Sequence, residues 1–208
     1  HFLLLFTAQW PERAQSNTVV RLEDLPSPTC FTIKTFLHRY IVDSAKFWRN
    51  DPKKRRVFRY NTLSRYMPDA AMWEATTVDP QAHGIHLMNI RTTSFMYASS
   101  NADSLSASCR NVFLRSDARE TQGEASRFLF HYNSTTQAYR IQNLATKEYL
   151  QNLPSAFQNN LAVVCLDRRG GVEQGAEENY DFWLNSCDDE YFENKKITAA
   201  INSNYGLM

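Results

Sequence analysis

Residues 139–152 read YRIQNLATKEYLQN, and residues 85–99 read IHLMNIRTTSFMYAS. Setting Ile85 on Tyr139 brings Leu87 onto Ile141, Asn89 onto Asn143, Thr92 onto Thr146 and Phe95 onto Tyr149, a constant offset of 54 residues. A more worn copy lies one offset upstream. There Phe31 and Ile33 fall on Ile85 and Leu87, Thr35 falls on Asn89, and Tyr40 falls one place from Phe95. A long period present three times marks a repeat architecture rather than an ordinary mixed domain.

Around each copy lie four short runs rich in β-branched and aromatic residues, separated by turn formers such as Asn50-Asp51-Pro52 and Met67-Pro68-Asp69. The expected strands are 31–35, 39–44, 55–60 and 71–77 in the first repeat, and 84–89, 94–99, 111–116 and 127–132 in the second. The third repeat supplies 139–143, 148–152, 162–167 and 181–186. No stretch of ten or more residues carries a helical apolar period, so the chain reads as all-β. One repeat has too little apolar surface to fold alone. Three must share a core, and closing the sheet removes the exposed edges that invite aggregation. The domain therefore spans 30–187, with repeats of about 30–80, 84–136 and 138–187. Residues 1–29 form an N-terminal extension: an apolar run, Phe2 to Phe6, expected to pack as a strand, then a polar linker ending at Pro26-Ser27-Pro28. The opening HFLLLFTAQ also resembles the apolar part of a signal peptide. A C-terminal tail, 188–208, is expected to pair with the extension.

Charge is nearly balanced, 23 basic against 22 acidic side chains, so no global field draws the chain to nucleic acid. No run approaches the ~20 apolar residues of a membrane span. The four cysteines, Cys30, Cys109, Cys165 and Cys187, lack C-x-x-C spacing, which argues against a zinc ribbon or dithiol redox site. Their even number allows two disulfides and an oxidising compartment, or else four buried thiols. Asn133-Ser134-Thr135 is a glycosylation acceptor sequence, and with the cysteines it points to a secreted, extracellular protein. His83 and His86 lack a defined third ligand, and G-x-S-x-G, a phosphate loop and H-E-x-x-H are all missing. The expectation is a protein without cofactor, metal or catalytic activity.

Four strands repeated three times at this length resemble a β-trefoil, covering Cys30 to Cys187. Within that superfamily Ile141, Asn143, Thr146, Tyr149 and Leu150 resemble the modules of ricin-B-like lectins. The Q-x-W that closes such modules is degenerate here: Ala71-Met72-Trp73, Phe128-Leu129-Phe130 and Asp181-Phe182-Trp183 keep an aromatic and lose the glutamine. The chain is also similar to secreted, cysteine- and tryptophan-bearing trefoils of blood-feeding insect saliva. In a trefoil the first and last strands meet, which implies a Cys30–Cys187 disulfide, with Cys109–Cys165 an open possibility. The lectin likeness implies sugar contacts from the third repeat, at Gln151, Tyr180 and Asp181 with Asn152 adjacent. The matching places are Val42, Ala70 and Ala71 in the first repeat, and Tyr97, Arg127 and Phe128 in the second. Trp48 and Phe157, each eight residues after a second-strand tyrosine, are candidate stacking platforms or lids on the core. Lys53, Lys54, Arg55, Arg56 and Arg59 form the one strong basic run, suited to a sulfated or otherwise anionic glycan or to a solvated turn. The resulting expectation is a non-catalytic protein that binds a glycan or glycoprotein. The alternative is an inhibitor or protein ligand acting through the hairpin 44–55 or the loop 168–180.

Overall fold

The computed structural model describes residues 17–36, 39–49, 51–60, 68–77, 84–101, 106–153, 161–169 and 171–188. Strand β1 (Asn17–Val20) precedes three groups of four. The first is β2 (Phe31–Thr35), β3 (Tyr40–Trp48), β4 (Asp51–Tyr60) and β5 (Met72–Thr76). The second is β6 (His86–Asn89), β7 (Ser94–Ala98), β8 (Cys109–Arg115) and β9 (Phe128–Asn133). The third is β10 (Ala138–Asn143), β11 (Tyr149–Asn152), β12 (Leu161–Asp167) and β13 (Phe182–Ser186). A single helical turn, α1 (Ala118–Thr121), follows β8.

First and fourth strands make a closed ring. β2 pairs with β5, β5 with β6, an Ile85–Phe128 bridge leads to β9, and β9 pairs with β10, β10 with β13 and β13 with β2. Second and third strands leave the ring as hairpins β3–β4, β7–β8 and β11–β12. Below the ring the three third strands cross pairwise: β4 with β8, β8 with β12 and β12 with β4. Ile33, Leu87 and Ile141, the residues that define the repeat, are fully buried in one core with Phe31, Trp73, Phe128, Phe130 and Phe182. Their common depth is what the 54-residue offset encodes.

The repeated asparagine has a structural duty. Asn89 donates its side-chain amide to the carbonyls of Ala70 (3.0 Å) and Met72 (3.2 Å), and Asn143 to those of Ala125 (2.8 Å) and Arg127 (3.2 Å). Each thereby fastens a first strand to the approach of the preceding fourth strand. The repeated threonine completes the turn: Thr92 and Thr146 donate hydroxyls to the oxygens of Asn89 and Asn143. Thr93 and Lys147, one offset apart, both take the left-handed backbone, with φ of 47° and 60°.

Both disulfides are formed, Cys30–Cys187 and Cys109–Cys165, with Cα atoms 5.5 and 5.7 Å apart. The second escapes repeat alignment because β8 and β12 cross antiparallel, Asp167 opposite Cys109 and Cys165 opposite Asn111, so inequivalent positions become neighbours.

Two expectations need correction. The polar linker contains β1, which pairs along β9 from Asn17↔Asn133 to Val20↔Phe130. Asp51 and Pro52 belong to β4 rather than to a turn; the reversal comes earlier, at Arg49, whose φ is 48°. The Phe2–Phe6 run and the tail after Asp188 lie outside the described residues. Among the described residues no helix is long and apolar enough to cross a membrane.

Candidate functional site

The longest hairpin, β3–β4, breaks register between Asp43 and Phe47, and that irregularity turns Phe47 outward. Phe47 is 41% exposed, with the Arg55 guanidinium 5.4 Å from its ring centroid. Arg55 is held from the other side by the buried Asp43 carboxylate, Nη2 to Oδ2 at 2.8 Å, which Arg91 also approaches at 3.8 Å. Beyond Arg55 opens a groove of about 390 Å³ between this hairpin, the β6–β7 turn and the end of β8. Its polar wall is Lys53, Thr92, Ser94, Arg115 and Asp117. Arg115 pairs with Asp117, and the hydrogen bond from that guanidinium holds the Asp117 carboxyl below its ordinary pKa. The carboxylate is thus ionised and half-exposed at the groove, an acceptor for hydroxyl groups, while Lys53 is an exposed donor. An exposed aromatic ring on the hairpin beside a groove that offers a carboxylate and an ammonium supplies the components that recognise a polyhydroxyl ring.

The residues expected to hold sugar are placed differently. Tyr180 is fully buried, its hydroxyl hydrogen-bonded to Asp167. Burial, then that bond, pushes the phenol up to about 12. Asp181 is buried with its carboxylate on Arg140 Nε at 2.9 Å, and Gln151 and Asn152 are buried on β11. All four are therefore buried; Tyr180 and Asp181 are engaged by Asp167 and Arg140, and the Asn152 amide has no partner among the described residues. The side chains of Trp48 and Phe157 lie outside the described residues. Asn133 is buried on β9 between β1 and β10, and its oxygen accepts from the Thr135 amide at 3.0 Å; it serves a turn.

The basic run does not act as one patch, since strand alternation divides it. Lys53 is exposed and Lys54 pairs with Asp51 at 3.7 Å. Arg55 is paired to Asp43, Arg56 lies 4.4 Å over the Phe58 ring, and Arg59 is buried. Among the described residues no group of three or more His, Cys, Asp or Glu side chains is arranged to hold a metal.

No protein-family model and no curated protein sequence matches this chain. Solved structures do. A salivary protein from Culex quiquefasciatus of the Cysteine and Tryptophan-Rich family superposes with a TM-score of 0.57 at 15% identity, over 79% of this chain and 96% of that one. The SDF2-like protein from Arabidopsis thaliana gives 0.59 at 12% identity, over 76% and 93%. A ricin B-like lectin from Macrolepiota procera, solved in complex with lactose, gives 0.53 at 13% identity, over 78% and 98%.

The chain is a β-trefoil. Identities this low carry the fold and no function. Within this trefoil the groove residues Thr92, Ser94, Arg115 and Asp117, and Phe47 on the neighbouring hairpin, were not singled out from the sequence. They come from two repeats and meet only because β4 crosses β8, with Arg55 opposite Leu114. Thr92 alone carried a signal, as a member of the repeat.

Proposed function

We propose that this trefoil is a secreted, non-catalytic binding protein that recognises a glycan, free or on a glycoprotein. The observation that carries the reading is the exposed Phe47 ring beside a groove whose wall offers Asp117 as acceptor and Lys53 as donor. The volume suits one or two sugar units, at the small end of ligand sites. Two disulfides support an extracellular setting. The lactose complex of the Macrolepiota procera lectin supports the class of ligand and not the sugar itself.

The test is a glycan array followed by titration calorimetry on the best ligand. Phe47→Ala and Asp117→Ala should each weaken binding by about tenfold or more, as loss of a stacking face or a charged hydrogen bond does. Binding that survives both changes would remove the groove from the site. The protein-ligand reading also has an observation in its favour, since the same Phe47 stands near the tip of the longest hairpin. A pull-down from deglycosylated cell surfaces that still depends on Phe47 would support that reading instead.

A further inference from the structure

Each crossing of third strands sets one arginine opposite an aliphatic residue: Arg55 with Leu114, Arg110 with Leu166 and Arg59 with Ala162. The first two arginines are neutralised inside the fold. Arg55 has Asp43 at 2.8 Å, and Arg110 has Glu148 at 2.6 and 3.0 Å. At the third crossing the arginine has changed strands, because Arg59 occupies the place that Leu114 and Leu166 hold in the other repeats. It faces the core between Ile41, its cross-strand partner, and Val57.

Arg59 is 4% exposed, and its Nε and Nη1 have no hydrogen-bond partner among the described residues. Neither position that supplies a carboxylate elsewhere supplies one here. Asn152 stands opposite Val164 as Asp43 stands opposite Val57. It is neutral, 1% exposed, and both its amide atoms lack partners among the described residues. Arg39 stands just before β3 as Glu148 stands just before β11, and it brings a second positive charge. The field of Arg39 adds to burial in lowering the Arg59 pKa.

A buried guanidinium without a counter-charge is costly, and the unpaired amide at the place that Asp43 holds in the first repeat adds to the cost. We infer that the third crossing is a binding site for a small oxyanion, sulfate or phosphate, held by Arg59 and Asn152 with Arg39 contributing charge. The anion supplies the acceptors that Asp43 and Glu148 supply at the other two crossings. Its source is inorganic anion or the sulfate group of a sugar. This inference does not rest on the groove at β4 and β8.

The experiment follows thermal unfolding of the full chain in sodium sulfate and sodium phosphate against sodium chloride at matched ionic strength. A parallel arm uses a sulfated disaccharide and its desulfated form. The wild type should show a saturable rise in Tm with the oxyanions, distinct from the linear, sequence-independent effect of sulfate on any protein. Arg59→Leu, which restores the residue of the other repeats, should weaken anion affinity by about tenfold or more. It should unfold at or above the wild-type temperature in chloride. Asn152→Asp, which installs the carboxylate of the first crossing, should raise Tm in chloride and abolish the saturable response. A saturable rise with the sulfated disaccharide alone would assign the site to a sugar sulfate, and one with inorganic anions to a free ion. An unchanged response in both variants, or no saturable rise in the wild type, would overturn the proposal.

Discussion

At the level of single residues, Asn143 and Thr35 make a natural contrast, since both occupy the same place in the repeat. Asn143, itself buried, gives two part-buried hydrogen bonds to backbone carbonyls, whereas the buried Thr35 hydroxyl oxygen has no partner among the described residues. Removing the Asn143 amide takes the side-chain donor from the Ala125 carbonyl, the Arg127 carbonyl keeping the Leu144 amide, at roughly 1–3 kcal/mol, while removing a hydroxyl that bonds nothing relieves a desolvation cost. Asn143→Ala should therefore lose about 1–3 kcal/mol in urea unfolding. Thr35→Val should be neutral or stabilising. Equal losses in the two variants would mean that the asparagine acts only by filling space. The first repeat looked worn in the sequence because this one hydrogen-bonding device is missing from it.

Among the elements, the join between β12 and β13 carries a buried carboxylate that ties its stability to pH. Asp167, at the end of β12, is buried and accepts from the Arg169 side chain at 2.9 Å, from the Arg169 amide at 3.0 Å and from Tyr180 just before β13. Burial would raise its pKa, but the hydrogen bonds from Arg169 and Tyr180 outweigh it and hold the carboxyl below its ordinary value. A carboxyl depressed on folding contributes fully above its unfolded pKa of about 3.9, and that contribution is lost as pH falls through the folded value. Limited proteolysis within 168–180 should therefore accelerate below about pH 4. Asp167→Asn should already be cut rapidly at neutral pH, with Tyr180→Phe between it and the wild type. Cleavage of Asp167→Asn at the wild-type rate would show that other contacts hold the loop. The same join shows what a sequence discloses. The twelve repeat strands were legible because short runs of β-branched and aromatic residues recur at the repeat offset. β1 was not, since NTVV at an edge in polar surroundings carries no such period. Tyr180 and Asp181 were placed on the right strand approach and given the wrong surroundings. Alignment transfers position, but whether a polar side chain meets solvent or Arg140 depends on residues far away in the chain.

For the molecule as a whole, closure of the ring depends on β13 returning to β2, where five cross-strand pairs run from Phe182↔Thr35 to Ser186↔Phe31. Cys187 extends that seam, its amide donating to the Cys30 carbonyl at 3.2 Å beside the disulfide. The two disulfides span very different lengths of chain, with separations of 157 and 56 residues, yet chain entropy sets them only about 1 kcal/mol apart, at about 5 and 4 kcal/mol. Their surroundings differ more. Cys109 and Cys165 are both buried in a cluster with Val42, Phe58, Ala70 and Ala71, whereas Cys30 is only partly covered. Thiolate attack needs access to sulfur, so a reductant acting on the native protein should open Cys30–Cys187 first. Cys109–Cys165 should wait for global unfolding. Timed alkylation followed by peptide mass measurement should find label on Cys30 and Cys187 in native buffer, and on Cys109 and Cys165 only once urea passes the unfolding midpoint. The protein lacking Cys30–Cys187 should also show a larger m-value, because its unfolded chain exposes more surface without the long tether. Label arriving first on the β8–β12 pair would mean that the third-strand crossings open before the seam. The ring, rather than the crossings, would then be the most stable part of the fold.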